Sequence, residues 1–265
     1  LAILGQKRIM KSNFYDRFVE LKRYTDRVGS IYGTEDFSVY LYSIIKMMKP
    51  ETVVELGTGL GSAMLWSGLA LEENEFGTIH TIDDGSEWYR LKTAKNAMGD
   101  HYHDDYNDFI TGLVQKYEVQ DQVNFLNQRI DVLDLKNIDI LFSDFAHGVF
   151  DVTKLLVDYI PKMNDHSKIY IDSASTHYSS YMAINRIVDI LNSGRIPRTF
   201  YEVFESKNNL QKEYNIENLK QKVENTTFSV EHMVENKDRD QNSTCCITLT
   251  PIDIFPYPRK NIRSL

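Results

Sequence analysis

Residues 52–62 read Thr-Val-Val-Glu-Leu-Gly-Thr-Gly-Leu-Gly-Ser, an acid followed by three glycines at alternate positions. Gly57, Gly59 and Gly61 permit a tight turn and let the backbone approach a ligand closely, with Thr58 and Ser62 in the same cradle. The dinucleotide fingerprint G-x-G-x-x-G needs its last glycine at 62, where Ser stands, and Glu55 is ill placed beside a pyrophosphate dianion. A nucleoside is the ligand class that remains. Beyond the glycines by about 20 positions, Gly77-Thr-Ile-His-Thr-Ile-Asp-Asp forms a second strand with an acidic end, from which a carboxylate can accept both ribose hydroxyls. Asp83 is placed for that role. Asp84, one residue on, either joins the ligand contacts or caps the next helix.

A second set of chemistry-bearing residues lies further along. Asp144 and Asp172 each follow an apolar run that reads as a parallel strand, so both side chains converge on the rim that carries the glycine loop. His147 stands three residues past Asp144, and a neutral imidazole with a pKa near ~6.5 can take a proton from a hydroxyl. His101-x-His103 followed by Asp104 and Asp105 reads as a polar loop rather than a metal site.

Glu55-x-Gly57-x-Gly59-x-Gly61 with Asp83 resembles motif I and the ribose acid of the class I S-adenosylmethionine-dependent methyltransferases. Their ligand lacks phosphate and carries a cationic sulfonium and an α-amino group, which Glu55 suits. Nearest in outline are the catechol-type small-molecule O-methyltransferases, in which an Asp at each of two strand ends and an Asn after the second bind a divalent cation. The resemblance therefore implies a metal set of Asp144, Asp172 and, in the Asn position, Ser173. Two carboxylates with a hydroxyl and waters suit Mg or another hard divalent cation. The alternative is metal-free, with Asp144 orienting substrate and Asp172 capping a helix. The same resemblance puts adenine recognition at Gln128, Arg129, Ile130 and Asp131, and places Gly33, Thr34 and Glu35 near the methionine end. Asp144 then serves cofactor and catalysis, and His147 serves catalysis as the proton acceptor.

The elements that must position these residues alternate. Strands are expected from 52 to the acid at 55, over 77–84, 123–126, 138–143 and 168–171, with a helix beginning near 62, others near 105–118, 149–160 and 177–194, and a solvated one over 209–224. Phe228–Val234 and Thr244–Leu249, separated by the charged stretch 235–242, read as a closing antiparallel hairpin. The expected fold is α/β: a Rossmann-like, seven-stranded, mostly parallel sheet with helices on both faces. Residues 1–49 form a helical lead-in packed on the sheet edge, a cap distinct from the domain of 50–265, with one helix led by Phe14, Phe18, Leu21 and Tyr24 and another running from Phe37 to Met48. Residues 85–104 are a long loop whose Trp88 and Tyr89 could wall the adenine or the acceptor. His80 lies in a strand and His166 in a connecting turn.

At 265 residues the chain suits one large domain with an appendage. A formal charge of -8 disfavours a phosphate backbone as partner, so nucleic acid is not expected. No apolar run approaches the ~18 residues of a membrane span. The adjacent Cys245 and Cys246 have no distant partner and no metal spacing, which points to a reducing cytoplasm. Without an initiator Met, the chain is open to being part of a longer protein. The reading is methyl transfer from S-adenosylmethionine to a small hydroxylated molecule, assisted by Mg or a similar cation, with a homodimer through the lead-in helices as relatives imply. Rivals are a methyltransferase-fold domain without methyl transfer, whether a ligand-binding or assembly domain or a metal-assisted hydroxylase or lyase relative, and a nicotinamide oxidoreductase.

Overall fold

A computed structural model describes residues 13–32, 35–130, 135–145, 147–205, 209–234 and 243–252. Strands β1 (Thr52–Leu56), β2 (Thr78–Asp83), β3 (Val123–Asn127), β4 (Ile138–Ser143), β5 (Met163–Asp172), β6 (Thr226–Val234) and β7 (Ser243–Pro251) form one sheet in the order β3-β2-β1-β4-β5-β7-β6. β1 to β5 pair in parallel, whereas β7 runs antiparallel to both β5 and β6. The reversal between β1 and β4 opens a crevice at the carboxyl ends of those strands, where such sheets take ligands.

Each central strand is apolar on both sides because helices cover both. Val54, Leu56, Leu141, Ile169 and Ile171 face a core shared with α7 (Val149–Tyr159), α8 (Tyr178–Asn192), α9 (Arg198–Glu205) and α10 (Asn209–Asn225). Their alternating neighbours Val53, Ile140, Phe142 and Tyr170 face α2 (Glu35–Met48) and α3 (Ser62–Asn74). A third cluster joins α1 (Phe14–Tyr32), α3 and α6 (Tyr106–Lys116) around Trp66. Burying each such large apolar side chain contributes about 1.5–3 kcal/mol.

The lead-in differs from expectation in its place. Phe37 of α2 packs on Phe142 of β4 at 4.8 Å and on Tyr170 of β5 at 5.3 Å between ring centroids, so α2 covers the middle of the sheet rather than its edge. The segment 85–104 is also not an open loop. It holds the short helices α4 (Trp88–Leu91) and α5 (Lys95–Met98), and Trp88, Leu91 and Met98 are buried. Trp88 stacks on Phe109 at 4.8 Å, which makes it core rather than a ligand wall. His101 packs edge-on against Tyr24.

β5 begins five residues earlier than the apolar run suggests, and His166 sits inside it at φ 60 rather than in a turn. The pairing of β4 with β5 shifts register there, between Ile138 and Ile140. α9 was not expected from the sequence, and α10 is solvated on one side only, since Leu219 and Val223 are buried. The stretch 235–242 that would turn the hairpin lies outside the described residues. No helix among the described residues is long and apolar enough to cross a membrane.

Candidate functional site

The glycine loop is fastened from four directions. Gly57 N–H donates to Ile82 O at 2.9 Å, and Asp144 N–H donates to Leu56 O at 2.9 Å, so the loop departs between β2 and β4. At Gly57, with φ 92, an added Cβ would lie 2.6 Å from the backbone oxygen of Asp144. Only glycine fits there. Tyr24 of α1 donates its hydroxyl to Leu60 O at 2.7 Å, Tyr106 of α6 donates to Gly59 O at 3.0 Å, and Ser62 meets Ser38 of α2 at 3.1 Å between hydroxyls. None of these three anchors is apparent from sequence, because each partner is distant along the chain and is an ordinary helix residue.

Asp83 closes the fourth side. Its Oδ2 accepts Gly59 N–H at 3.0 Å and its Oδ1 accepts Gly85 N–H at 2.9 Å. The ribose candidate is thereby held at the mouth of the loop with spare lone pairs, as two hydroxyls would require. Asp84 is exposed and accepts Ser86 N–H at 2.9 Å, forming a turn ahead of α4 rather than a helix cap. Its carboxyl is held low by Ser86 first and also by Arg129. The helix cap in this region is Asp105, which accepts Asp108 N–H at the start of α6.

A pocket lies against the loop, lined by Glu55, Gly57, Thr58, Ser62, Ala63 and Asp144 among others, with Val28 and Gly29 of α1 also in its wall. Glu55 is 2% exposed. Burial pushes its carboxyl up to about 8, with the nearby Asp83 adding to the rise and the Thr81 hydroxyl and Met64 N–H opposing it. Of the residues expected at the adenine, Gln128 N–H donates to Asp83 O at 3.1 Å, and Gln128 and Arg129 are exposed. Ile130 lines a neighbouring pocket with Leu56, Phe145 and Lys154. Gly33, Thr34 and Asp131 lie outside the described residues, as does the side chain of Glu35.

The strand ends of β4 and β5 bring the second set together. One ligating atom each of Asp144, His147 and Asp172 lies within 4.8 Å of the others. The Asp144 side chain hydrogen-bonds that of Asp172, whose carboxyl burial pushes up while Ser173, His147 and Asp144 pull it down. Ser173, fully buried at φ 54, donates its hydroxyl to Asp172 Oδ2 at 2.7 Å and so orients that carboxylate. The imidazole that joins the acid pair is His147. Its Nδ1 lies 3.0 Å from Asp172 O, and a carbonyl only accepts, so Nδ1 carries the proton and Nε2 the lone pair. Two carboxylate oxygens and one imidazole nitrogen at this spacing fit a divalent cation of the Mg, Mn or Zn kind.

A mostly parallel seven-stranded sheet with an antiparallel end, a glycine loop after β1 and acids closing β2, β4 and β5 is the class I methyltransferase fold. Residues 54–174 match the family model described as a methyltransferase domain. Among solved structures, the O-methyltransferase TomG from Streptomyces achromogenes, in complex with SAM, is 10% identical, with 92% of each chain covered and a TM-score of 0.51. A Klebsiella pneumoniae protein described as a candidate O-methyltransferase is 10% identical, with 91% of this chain and 92% of that chain covered and a TM-score of 0.50. These likenesses show the fold. No curated protein matches the chain.

Proposed function

We propose that this chain moves the methyl group of S-adenosylmethionine onto an oxygen of a small hydroxylated molecule, with a divalent cation held by Asp144 and Asp172. The observation that carries the reading is the double position of Asp144, which both lines the cavity at the glycine loop and belongs to the acid–imidazole cluster. Cofactor and acceptor would meet across that one residue. TomG, which shares the fold, is an O-methyltransferase in complex with SAM, and this agrees with oxygen as the acceptor atom.

In this reading the glycine loop and Asp83 hold the nucleoside, and α1 walls the methionine end through Val28 and Gly29. Transfer is an in-line displacement in which the acceptor oxygen gains the methyl as the carbon–sulfur bond breaks, its electron pair returning to sulfur. The protein's share is alignment and exclusion of water. A bound cation would lower the pKa of the acceptor hydroxyl. His147 Nε2 then collects the proton, its ring held by the Nδ1 contact to Asp172 O. A second reading makes Nε2 the third ligand instead, and the closeness of His147 to both acids favours it. The helices before residue 50 serve as a fixed cap in either case.

The test is label transfer from methyl-labelled S-adenosylmethionine to a panel of vicinal diols and phenols, with and without chelator. Labelled product that vanishes with chelator and returns with Mg or Mn supports the whole proposal. Product that ignores chelator removes the cation, and loss of activity in His147→Ala with unchanged Mn binding favours the base over the ligand. No transfer to any hydroxyl in the panel counts against oxygen as acceptor.

A further inference from the structure

The turn after β5 and the start of α8 hold the acid–imidazole cluster, and both are themselves fastened from outside it. Ser173 N–H donates to Ser243 O of β7 at 2.6 Å, and the Thr176 and Ser243 hydroxyls meet at 2.7 Å. Beside these ties lies a half-buried polar cluster that the candidate site does not use: His232 of β6, Ser175 of the turn, and Tyr181 and Asn185 of α8. His232 Nδ1 is 2.5 Å from Ser175 Oγ, Nε2 is 3.0 Å from Asn185 Nδ2, and the ring lies 4.4 Å from that of Tyr181 between centroids. The same Asn185 nitrogen donates to Tyr181 O at 2.8 Å. A carbonyl only accepts, so the amide cannot be reversed, and what faces His232 is an N–H donor. Nε2 therefore carries the lone pair and Nδ1 the proton, which it gives to Ser175 Oγ. Burial of the ring, which pulls its pKa down, agrees with a neutral imidazole. A base that activated Ser175 would need the opposite tautomer, so the pair is not a nucleophile with its base.

We propose that His232 is a positioning residue for the acid–imidazole cluster: by donating to Ser175 and accepting from Asn185 it locks the turn and the first part of α8 to β6, and so sets the geometry in which Asp172 and His147 meet a cation. This rests on reading Asp144, His147 and Asp172 as a cation site. Two short paths carry the effect. Ser175 is two residues beyond Ser173, whose hydroxyl aims the Asp172 carboxylate. Asn185 belongs to α8, whose Ser180 donates its hydroxyl to His147 O, and His177 just ahead of that helix stacks on the His147 ring at 5.9 Å. Ligating atoms must be held within about 0.5 Å of their working geometry. Losing a group bonded directly to a metal ligand lowers affinity by about 10–100-fold, and His232 acts one link further out, so about tenfold is expected.

The experiment is calorimetric titration of the full chain with Mn, and separately with S-adenosylhomocysteine. His232→Phe keeps a ring on Tyr181 and removes both hydrogen bonds; it should weaken Mn binding about tenfold and leave S-adenosylhomocysteine affinity within about twofold of the parent. His232→Asn, whose amide nitrogen can stand in for Nδ1 and donate to Ser175, should recover most of the Mn affinity. Ser175→Ala should also weaken Mn binding, and combining it with His232→Phe should cost no more than His232→Phe alone. If His232→Phe does not fold, Ser175→Ala, a smaller change at the same bond, carries the test. Unchanged Mn affinity overturns the proposal, as do additive losses, and so does an equal loss of both ligands, which marks a general loosening of the fold. If the parent binds no Mn, the cation reading fails first, and the NMR signals of the His147 ring then decide the positioning: they should move in Ser175→Ala, and unmoved signals overturn it.

Discussion

Gly57 is where the glycine loop and the segment after β4 touch, and one methyl group there tests the proposed roles of both. In Gly57→Ala the new Cβ would meet the Asp144 oxygen at 2.6 Å, and φ 92 is disfavoured for any other residue. Relief must come from moving either the loop or Asp144, so S-adenosylhomocysteine affinity should fall by tenfold or more, with a stability loss of about 1–3 kcal/mol. Calorimetry and denaturant unfolding read the two effects separately, and unchanged affinity would mean that the loop does not hold the ligand. Asp172→Asn probes the other set: it keeps the shape and the Ser173 bond and removes a charge. Mn binding by titration should weaken at least tenfold, and wild-type Mn affinity in the variant would exclude a cation from this cluster. At this scale the glycines and acids were legible because the spacing that matters is local to each strand end. Tyr24, Tyr106 and Ser38 were not, since their bonds to the loop span 36, 47 and 24 positions of chain.

The elements are joined by a few buried polar ties, of which α1 to α3 is the strongest. Arg17 donates from two nitrogens to the two carboxylate oxygens of Glu72 at 2.6 and 2.9 Å and also to Tyr117 O at 3.0 Å, with both charged side chains largely out of water. Glu72→Ala should therefore cost about 3 kcal/mol, because it leaves a buried guanidinium with only Tyr117 O and, at 3.9 Å, the Glu118 carboxylate. Glu72→Ala combined with Arg17→Met should recover much of that loss in denaturant unfolding, and two additive losses would show that the pair is not coupled. The strands and the long helices were readable because their apolar periods match the faces they bury. α9 carried a signal too: Pro197 precedes Phe200, Val203 and Phe204 at helical spacing, all three buried. The early start of β5 carried none, because a strand that passes through a left-handed His166 and a register shift has no alternation to read. Placing α2 over the sheet centre likewise needed tertiary contacts, since its apolar face alone does not say which strands it covers.

For the whole molecule, fold and pocket are coupled through pH. Glu55 holds its proton up to about 8 in the folded, ligand-free chain, against a usual value of 4.5 when unfolded. Between those values the folded state binds more protons than the unfolded one, so stability falls as pH rises, by up to about 1.4 kcal/mol per unit. Below 4.5 the contribution is fully present, and above about 8 the loss is complete. The acidic excess of -8 also makes stability depend on pH, but that term acts alike on parent and variant. The comparison with Glu55→Gln isolates the single carboxyl, because the amide keeps the packing and cannot ionise. Thermal unfolding of the two proteins at pH 5, 6.5 and 8 should show the variant gaining steadily on the parent across the series. A difference in melting temperature that stays constant from pH 5 to 8 would show that Glu55 ionises in the fold much as it does in water.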